Sequence, residues 1–525
     1  MRYRHKDFNN PARQCLAIMM LLMPAVNLPA QTDNVEGSDL VMGVTMQGNA
    51  GSGDYAPFWF TSNRQGLSPT NPSGAMLDIQ ALGHTGLNNS LDLNYGLEMA
   101  TACNYQSNFY LQQIYADASY RWLNLSVGSK KSWGELVNPQ LSSGGLTWSG
   151  NSRPIPQVRL EVPEFTRLDI LGRWFSLKGH LAYGRYTDDS WRHDMAVSFS
   201  DPPKYTDKVL HHSKSLFLKV GDPERFPLEM TFGLEMYAMF GGTRYNMRTK
   251  STDPVLNSYE FPQDVRAYAE ILLPFNLPGH QTQDNGNTLG SWHLAFDYTA
   301  DNWKYRLYYE HYYEDHSSML GIENKPDMNG ERGFVFYGFK RNWFDGLFGF
   351  EVNAPNGLPF SNAVFEVLNT RGQCGSVYKF PTSAIPEGVD GCDAMYFHEF
   401  YKSYAHWGYN NGSPILLSSI YNGDHDQAIK SYRVLMFHIG VDGLITDKIG
   451  YRLLGTHTSH WGTFERPLTE RGEITSAMIE CFYRTGGPED WRIGLAAGAD
   501  FGTGGVLSEG GKGIMITVSK LWKLL

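Results

Sequence analysis

Apolar and polar residues alternate along much of the chain, and the stretch "LEMTFGLEMYAMF" (228–240) illustrates the pattern. Its apolar residues recur at every second position, whereas the apolar face of a helix needs spacings of three and four, so we predict a strand. The apolar face of this strand is formed by Leu228, Met230, Phe232, Leu234 and Met236. We expect this face to contact lipid, with Glu229 and Glu235 turned towards the lumen of a barrel.

The same alternation recurs elsewhere, and this repetition favours a barrel over a soluble sandwich. The segment "LDLNYGLEMA" (91–100) is one such strand, and "WHLAFDYTADNWKYRLYYEHYYEDH" (292–316) has the pattern of a hairpin about the turn "TADN". In the second strand of that hairpin, aromatic and apolar residues form one face, and Lys304, Arg306 and Glu310 lie on the other. Charged residues on the second face suit a polar lumen better than the outside of a sandwich.

The C-terminal third continues the pattern. A hairpin is predicted over 432–464, and a second one joins "EITSAMIECFYR" (473–484) to "DWRIGLAAGADFG" (490–502). The last segment, "GIMITVSKLWKLL" (513–525), alternates in the same way and contains Trp522. An amphipathic final strand with an aromatic residue near its end resembles the signal that barrel-assembly machinery reads.

Candidate strands of about ten residues, the length that crosses a bilayer when tilted, number on the order of 16 to 18. The predicted fold is therefore an all-β, transmembrane outer-membrane β-barrel of antiparallel strands. The polar stretches between the strands are predicted to be surface loops or plug elements, namely 137–165, 242–265, 275–290 and 370–430. A barrel of 16 to 18 strands encloses an aqueous channel unless such elements fill it.

Composition agrees with a barrel. The chain has 30 Tyr, 29 Phe and 13 Trp, so that aromatic residues make up 14% of it, while its mean hydropathy is negative. Overall polarity with many aromatic residues is typical of barrels, which alternate lipid-facing and lumen-facing residues and carry aromatic girdles. After the N-terminal segment, no apolar run is long enough for a helix to cross a bilayer.

The N-terminal segment 1–30 is predicted to be a signal peptide, with a basic region, the apolar stretch "CLAIMMLLMPAV" and cleavage after Ala30. The barrel then comprises 31–525. Removing the signal takes four basic residues and Asp7 from the totals of 44 basic and 54 acidic residues, which leaves a net charge of −13. This acidic balance argues against nucleic acid as a partner, because it offers no basic patch to neutralise phosphates. The expected location is the outer membrane of a Gram-negative cell.

Four cysteines remain after the signal. Cys374 and Cys392 lie in one predicted loop, so that a disulfide between them is one reading in an oxidising compartment and two unpaired thiols the other. Cys103 and Cys481 lie inside strand patterns, where we expect them to act as small apolar side chains.

Three stretches resemble the capsule-assembly Wzi family of outer-membrane proteins, in the version found in Bacteroidota-like homologues. The first is "LSSGGLTWSGNSRPIPQVRLEVPEF" (141–165), in which a Ser/Gly-rich segment with Trp, Asn, Arg and Pro-x-Pro leads into a strand. The second joins "VFEVLNTRGQCG" (364–375) to "YKSYAHWGYNNGSPILLSSIYN" (401–422), and the third joins "RVLMFHIGVDG" (433–443) to "YRLLGTHTSHWGTF" (451–464). The sequence departs from the family in "NTRGQCG", where Ser is expected in place of Cys.

The resemblance implies a barrel of about 18 strands whose pore is closed by helical and loop elements. It also implies a non-enzymatic, lectin-like role in holding capsular polysaccharide at the outer face of the outer membrane. Outer-membrane lipid is then a second partner. Whether the capsule-export machinery docks on the protein is left open by the sequence.

Binding a polysaccharide without cutting it needs aromatic faces for sugar C–H groups, and amides, carboxylates or guanidinium groups for hydroxyls and uronates. The loops with these groups contain the candidate polysaccharide-binding residues Trp148, Asn151, Arg153, Trp407, Tyr409, Asn410, Asn411, Asp424, Asp426, His460 and Trp461. Alternatively, the aromatic residues belong to an interface girdle or a packed loop, and the Asn and Asp residues serve turns. For 141–165 in particular, Pro154 and Pro156 favour a plug inside the lumen over direct sugar contact.

We expect no enzymatic activity, no cofactor and no metal, because no HExxH, GxSxG or CxxC motif is present. The two histidines of "HTSH", His457 and His460, are three apart, so that in a strand they point to opposite faces. The alternative function is an oligosaccharide-permeable porin, which the barrel size and the aromatic and acidic residues also suit. A barrel-borne hydrolase is a third, less favoured alternative.

Overall fold

The computed structural model describes residues 38–88, 90–168, 173–247, 256–272, 286–314, 321–326, 332–337, 344–372, 394–486, 490–504, 506–507 and 510–524. Within these residues, 18 antiparallel strands form one sheet in which each strand pairs with the next along the chain. The last strand pairs with the first, with Thr45 opposite Ser519, and this pairing closes the sheet into a barrel. The predicted all-β barrel of about 18 strands is thereby confirmed.

The barrel strands are β1 (Ser38–Ser52), β2 (Gly74–Asn88), β3 (Leu91–Cys103), β4 (Phe109–Tyr120), β5 (Leu123–Ser129), β6 (Gln157–Arg167), β7 (Phe175–Arg185), β8 (Leu210–Val220), β9 (Leu228–Phe240), β10 (Asn287–Ala300), β11 (Trp303–Glu314), β12 (Gly346–Asn353), β13 (Asn362–Asn369), β14 (Val434–Leu444), β15 (Ile449–Gly462), β16 (Pro467–Arg484), β17 (Arg492–Thr503) and β18 (Lys512–Lys523). Among the described residues, three α-helices lie between them, namely α1 (Phe58–Thr61), α2 (Asp189–Phe199) and α3 (Val265–Leu272), together with two short 3₁₀ helices, Pro414–Leu416 and Ser419–Tyr421. None of these described helices combines the length and the apolar character needed to cross a membrane.

The two ends of the barrel differ in their connections. At one end, here called the short-turn end, the connections range from two residues (121–122) to eight (354–361). The turn between β10 and β11 has Asp301 and Asn302 at φ 50° and 68°, the left-handed conformation that a two-residue hairpin turn requires and that Asp and Asn tolerate. The opposite end, here called the long-loop end, carries the longer connections, which include 130–156 and 370–433.

The alternation assigns the two faces of β9 as predicted. Leu228, Met230 and Phe232 are exposed on the outer wall, whereas Glu235 is buried on the lumen side, with Glu229 on the same side. The outer wall is therefore apolar, as in a barrel whose wall contacts lipid. The predicted lipid contact does not extend to Met236, because protein covers this side chain in the structure.

Beyond Met236, the outer wall is covered by α3. Ile271 of this helix packs against Ala238 and Phe240, with Leu210 at the edge of the contact. Lys214 donates hydrogen bonds to the last carbonyls of the helix, including that of Ile271 at 3.0 Å. A cation at a helix C-terminus is favourable because the carbonyls there have no partner within the helix. The helix thus docks on the outside of the barrel near the long-loop end.

Three loop predictions need correction. The stretch 275–290 overlaps β10, which begins at Asn287, and its residues 275–285 lie outside the described residues. The stretch predicted as a loop over 137–165 ends at 156, because β6 begins at Gln157, directly after the second proline of "RPIP". The stretch 242–265 is not all loop either, since Thr243–Met247 and Leu256–Glu260 pair in a small sheet outside the barrel. Cys103 and Cys481 lie in strands as predicted, and Cys374 and Cys392 lie outside the described residues.

Candidate functional site at the long-loop end

Three connections of the long-loop end fold into the lumen and are here called the plug, comprising 53–73, 130–156 and 394–433. They share one buried apolar cluster with the inner wall, in which Phe60, Leu146 and Tyr396 of the plug join wall residues such as Tyr308. At Gly412 the packing is so close that a Cβ atom would lie 2.1 Å from the Leu146 carbonyl oxygen. The predicted plug elements are confirmed, and they occupy the lumen at this end.

Carboxylates of the barrel wall bind the backbone of the plug. Glu310 of β11 accepts hydrogen bonds from the N–H groups of Leu146 and Thr147 at 2.9 and 3.0 Å. Glu366 of β13 accepts one from the N–H of Ser143 at 2.7 Å. Charge-assisted bonds of this kind are about twice as strong as neutral ones. They fix the segment that follows β5 against the opposite side of the wall.

The predicted residue Trp148 is buried in the plug. Its ring stacks on Tyr237 of β9 with centroids 5.0 Å apart and planes 6° apart. Its Nε1–H donates to the Ser132 hydroxyl at 2.8 Å. Both the apolar and the polar part of this side chain therefore have partners inside the protein.

Asn151 and the pair Asn410–Asn411 join two segments of the plug. Asn151 donates from its amide to the carbonyl of Asn410 at 3.0 Å, although the two residues are far apart in sequence. Asn411 donates to the Tyr186 hydroxyl at 3.1 Å, and the neighbouring Tyr409 accepts from Ser68 at 3.1 Å. These four predicted residues are almost fully buried. Their present partners all belong to the protein, and polysaccharide binding by them stays a prediction.

Arg153 and Trp407 meet where the plug reaches the surface. The Arg153 guanidinium lies between two rings, 4.0 Å from the centroid of Tyr110 and 4.4 Å from that of Trp407. It also donates to the Ser107 hydroxyl at 2.9 Å. Burial lowers the pKa of Arg153 below its ordinary value. Trp407 is only partly buried, and it lies in a connection of the long-loop end.

A buried ion pair holds Trp407 in place. Arg192 of α2 donates to Asp188 at 2.8 Å, and both side chains are almost fully buried. The second Asp188 oxygen accepts from the backbone N–H of Trp407 at 3.0 Å, and Arg192 also donates to the Ala405 carbonyl at 3.1 Å. Burial raises the pKa of Asp188, but the attraction and the hydrogen bond of Arg192, together with the smaller contributions of His406 and the Trp407 N–H, outweigh burial and lower that pKa. The pair thus joins α2 to the segment that carries Trp407.

His406 adds a pH-sensitive contact to this region. Its Nδ1–H donates to the Arg153 carbonyl at 2.9 Å, while Nε2 accepts from the Thr187 backbone N–H at 3.2 Å. This arrangement needs the neutral ring, since a proton on Nε2 would remove the acceptor. Burial lowers the pKa of His406 to about 4, below the ordinary value of about 6.5.

We therefore expect stability to fall as the pH drops from about 6.5 to about 4, because the unfolded state takes up this proton first. Protonation of His406 lowers the free energy of unfolding by about 3 kcal/mol at most. Above pH 6.5, His406 contributes no pH dependence to this free energy. Thermal unfolding midpoints in detergent, measured from pH 7.5 to 4 for the wild type and His406→Gln, test this. The variant should lose less than the wild type; parallel pH profiles would contradict the assignment.

The remaining candidates lie apart from Arg153 and Trp407. Asp424 is exposed and pairs with Lys430 at 2.5 Å, and Asp426 accepts from the N–H of Ala428 at 3.0 Å, so both serve the local turn. His460 is fully buried, with Thr458 3.1 Å from Nε2. As predicted, His457 points to the opposite face.

Trp461 lines a recess of about 440 Å³ at the long-loop rim, here called the rim recess. The Arg371 guanidinium lies 5.3 Å from the centroid of the Trp461 ring and donates to the Asn369 side chain at 2.8 Å. The lining residues are Phe344, Asp345, Asn369, Arg371, Gly372, Arg433 and Trp461. An aromatic face, two guanidinium groups and an amide therefore converge at this rim.

A second, larger cavity of about 770 Å³ lies in the lumen below the plug, and we call it the vestibule. Arg452 and Glu480 line it and pair at 2.7 Å, and Arg492 lies on the same wall. Arg64 of the plug also lines it, and burial, helped by Arg452, lowers the pKa of Arg64 to about 10. The vestibule is thus charged.

Comparison with known proteins supports the fold but not a family. No protein-family model and no curated protein matches the sequence. The solved structure of Wzi of Escherichia coli, described as an outer membrane protein involved in group 1 capsule assembly and as a carbohydrate-binding β-barrel, matches with a TM-score of 0.52 and 10% identity, over 91% of this chain and 83% of that one. The fold is that of an outer-membrane β-barrel.

Two further solved structures, OccK2 and OccK3 of Pseudomonas aeruginosa, match less closely. OccK2 has a TM-score of 0.46 and 8% identity over 93% of this chain and 98% of that one. OccK3 has a TM-score of 0.45 and 10% identity over 93% and 96%. The relationship to all three is distant.

The structure thus brings only part of the predicted set together. Arg371 and Arg433 are not among the residues predicted from the sequence, although both lie in the stretches that resemble the Wzi family. Each stands within two residues of a strand, whereas most of the predicted residues are aromatic and amide residues of the long loops. Asp188 and Arg192 were missed as well, and their spacing of four residues on a short helix was the available signal.

Proposed function

We propose that this chain is an outer-membrane surface protein of the Wzi type that binds capsular polysaccharide without cleaving it. The proposal includes 1–30 as a signal peptide and 31–525 as the barrel. The observation that carries it is the rim recess, which combines an aromatic ring with guanidinium groups at the end where the plug fills the lumen. In outer-membrane barrels the longer loops face the cell exterior, so the recess would face the capsule.

The rim recess has the chemistry that an acidic polysaccharide needs. The Trp461 ring offers a flat apolar surface for sugar C–H groups, and Arg371 and Arg433 offer donors for a uronate carboxylate. The Asn369 amide donates to the Phe344 carbonyl and to Asp345 and accepts from Arg371, so it orients the Arg371 guanidinium. Arg371 is exposed, so it can contact a polymer without a rearrangement of the plug.

Trp407 provides a second contact point. Its side chain is partly buried. The Arg153 guanidinium lies over the ring, the indole N–H donates to the Thr187 hydroxyl at 3.2 Å, and Asp188 accepts from the backbone N–H. A rigid aromatic residue loses little conformational entropy on binding, which favours recognition. A long polymer can span separate contact points, and several weak sites then act together.

The distant fold likeness adds support, because the Escherichia coli protein with this fold is described as carbohydrate-binding. The stretches that resemble the Wzi family contain Asn369, Arg371, Trp407, Arg433 and Trp461. Binding without cleavage accords with the recess, which pairs aromatic and cationic groups and has no paired nucleophile and base among its described lining residues.

The proposal predicts that a strain lacking this chain releases capsular polysaccharide of normal length into the medium. Complementation with the wild type should restore retention, whereas Trp461→Ala, Arg371→Ala and Trp407→Ala should each lower it. For the purified proteins, we expect at least a tenfold weaker affinity for the strain's own capsular polysaccharide, which is about 1.4 kcal/mol.

Trp491→Ala is the matched control, because Trp491 is an exposed tryptophan in a connection of the short-turn end. It should retain and bind polysaccharide like the wild type. If the deletion strain retains as much polysaccharide as its parent, the proposal is wrong. If all four variants, including Trp491→Ala, lose retention equally, the cause is misassembly of the barrel.

A porin for oligosaccharides is the second candidate, and the vestibule favours it because its charged lining and its volume of about 770 Å³ suit a sugar. A porin must conduct, whereas a surface binder can be plugged. Large, stable, ohmic steps from the purified protein in planar bilayers would favour the porin. The absence of conductance steps, together with retention of capsular polysaccharide on cells, would favour the surface binder.

A further inference from the structure

Three ionisable side chains converge on the lumen face of neighbouring strands, beside the plug. His293 of β10 lies directly opposite Glu310 of β11, and Glu235 of β9 lies one pleat further along, opposite Ser291. One ligand atom from each of the three side chains lies within 4.8 Å of the others. Each of the three is at least nine-tenths buried.

Two atoms of this cluster have no hydrogen bond to any described residue. One is Glu310 Oε2, although Oε1 of the same carboxylate binds the N–H groups of Leu146 and Thr147. The other is His293 Nε2, from which Glu235 Oε2 lies 3.4 Å away. A buried polar atom without a partner destabilises a protein by about 1 to 3 kcal/mol, and more when it is charged.

No compensating cation comes from the described part of the chain. No Lys or Arg nitrogen among the described residues lies within 4.0 Å of either carboxylate of the cluster. Two carboxylates and one imidazole therefore share a buried site in which the only side chain of the three that can be positively charged is His293. A divalent ion would neutralise both carboxylates, give Glu310 Oε2 a partner and replace the long contact between His293 Nε2 and Glu235.

We propose that Glu235, His293 and Glu310 form a binding site for a divalent transition-metal ion, for which Zn²⁺ is the best match. One imidazole nitrogen and two carboxylates suit Zn²⁺, whereas Ca²⁺ needs six to eight oxygen ligands. Zn²⁺ requires ligand distances of about 2.0 to 2.2 Å, and the three ligand atoms lie within 4.8 Å of one another. No sequence motif signals the site, because its ligands come from three separate strands.

The ion would act on the plug through Glu310. One carboxylate oxygen would bind the metal while the other binds the plug backbone at Leu146 and Thr147. Fixing a ligand in this way also fixes the groups that are hydrogen-bonded to it. The metal would therefore order the plug segment that contains Trp148.

The test uses the full-length barrel in detergent, stripped of metal with a chelator and titrated with Zn²⁺ alone. We expect one Zn²⁺ per wild-type chain, a higher unfolding temperature with Zn²⁺, and slower hydrogen exchange at the Leu146 and Thr147 amides. His293→Gln and Glu235→Gln should each weaken Zn²⁺ binding at least tenfold, and Ca²⁺ should bind far more weakly than Zn²⁺.

Glu366→Gln is the matched control, because Glu366 is also a buried wall carboxylate bound to the plug backbone. His438, its cross-strand neighbour, has partners for both ring nitrogens, Thr456 and the Leu141 carbonyl. This variant should bind Zn²⁺ like the wild type. The proposal is overturned if the wild type does not bind Zn²⁺ stoichiometrically. It is also overturned if His293→Gln binds Zn²⁺ as tightly as the wild type, because other histidines would then be the ligands. If a variant fails to fold, the wild-type stoichiometry still decides.

Discussion

Replacing Asp188 with alanine is expected to destabilise the protein by about 3 to 5 kcal/mol, because it leaves the buried Arg192 guanidinium without its counter-charge. It also removes the acceptor of the Trp407 backbone N–H. Thermal or denaturant unfolding in detergent measures the effect, with tryptophan fluorescence reporting on the plug. Since the pKa of Asp188 is lowered in the folded state, the contribution of the pair is present at neutral pH and is lost as the pH falls through that lowered pKa.

The double variant Asp188→Ala/Arg192→Met separates the ion pair from the burial of charge. Removing both partners should recover much of the loss, because no uncompensated charge remains. Lys430→Ala is the control for exposed pairs, since Lys430 and Asp424 are about half exposed, and it should change stability by less than about 1 kcal/mol. If Asp188→Ala is as mild as Lys430→Ala, the pair does not hold the plug.

Arginine at Phe232 is expected to impair assembly by about 2 to 4 kcal/mol, the range for a cation on the lipid face near the bilayer midplane. Phe232 is exposed on the outer wall in the first half of β9, before α3 covers the strand. Yield in the outer membrane and heat-modifiable mobility on gels report the outcome.

Two further variants of β9 show whether depth in the membrane is the cause. Leu228→Arg places the same charge at the short-turn end of the strand, where the expected effect is about 0 to 1 kcal/mol. Phe232→Leu keeps the site apolar and should assemble normally. Unchanged yield and mobility for Phe232→Arg would mean that this face does not contact lipid.

The same physical device recurs where the plug meets the wall. Glu310, Glu366 and Asp500 each accept a hydrogen bond from a backbone N–H of a plug segment, in the last case from Phe58 at 2.8 Å. Wall carboxylates can do this because the period of two places every second strand residue in the lumen. The predicted lumen position of Glu310 was thus correct, but the sequence did not indicate which loop it binds.

The candidate site was harder to predict than the fold. Aromatic and amide residues suit both sugar binding and a packed plug, so residue type alone does not separate Trp461, which lines the rim recess, from Trp148, which is buried. The preference for a plug over direct sugar contact at 141–156 agrees with the burial of Trp148 and Asn151.

The sequence by itself determined the strands, their two faces, the short turns and the closed barrel, because these follow from a local period of two and from turn residues such as Asp301 and Asn302. Only the tertiary structure decided which loops fill the lumen and which residues reach the surface. The contacts that decide this, such as that between Asn151 and Asn410, join segments far apart along the chain. Their formation depends on the width of the closed barrel and on the partners available inside it, and no local pattern of residues encodes either.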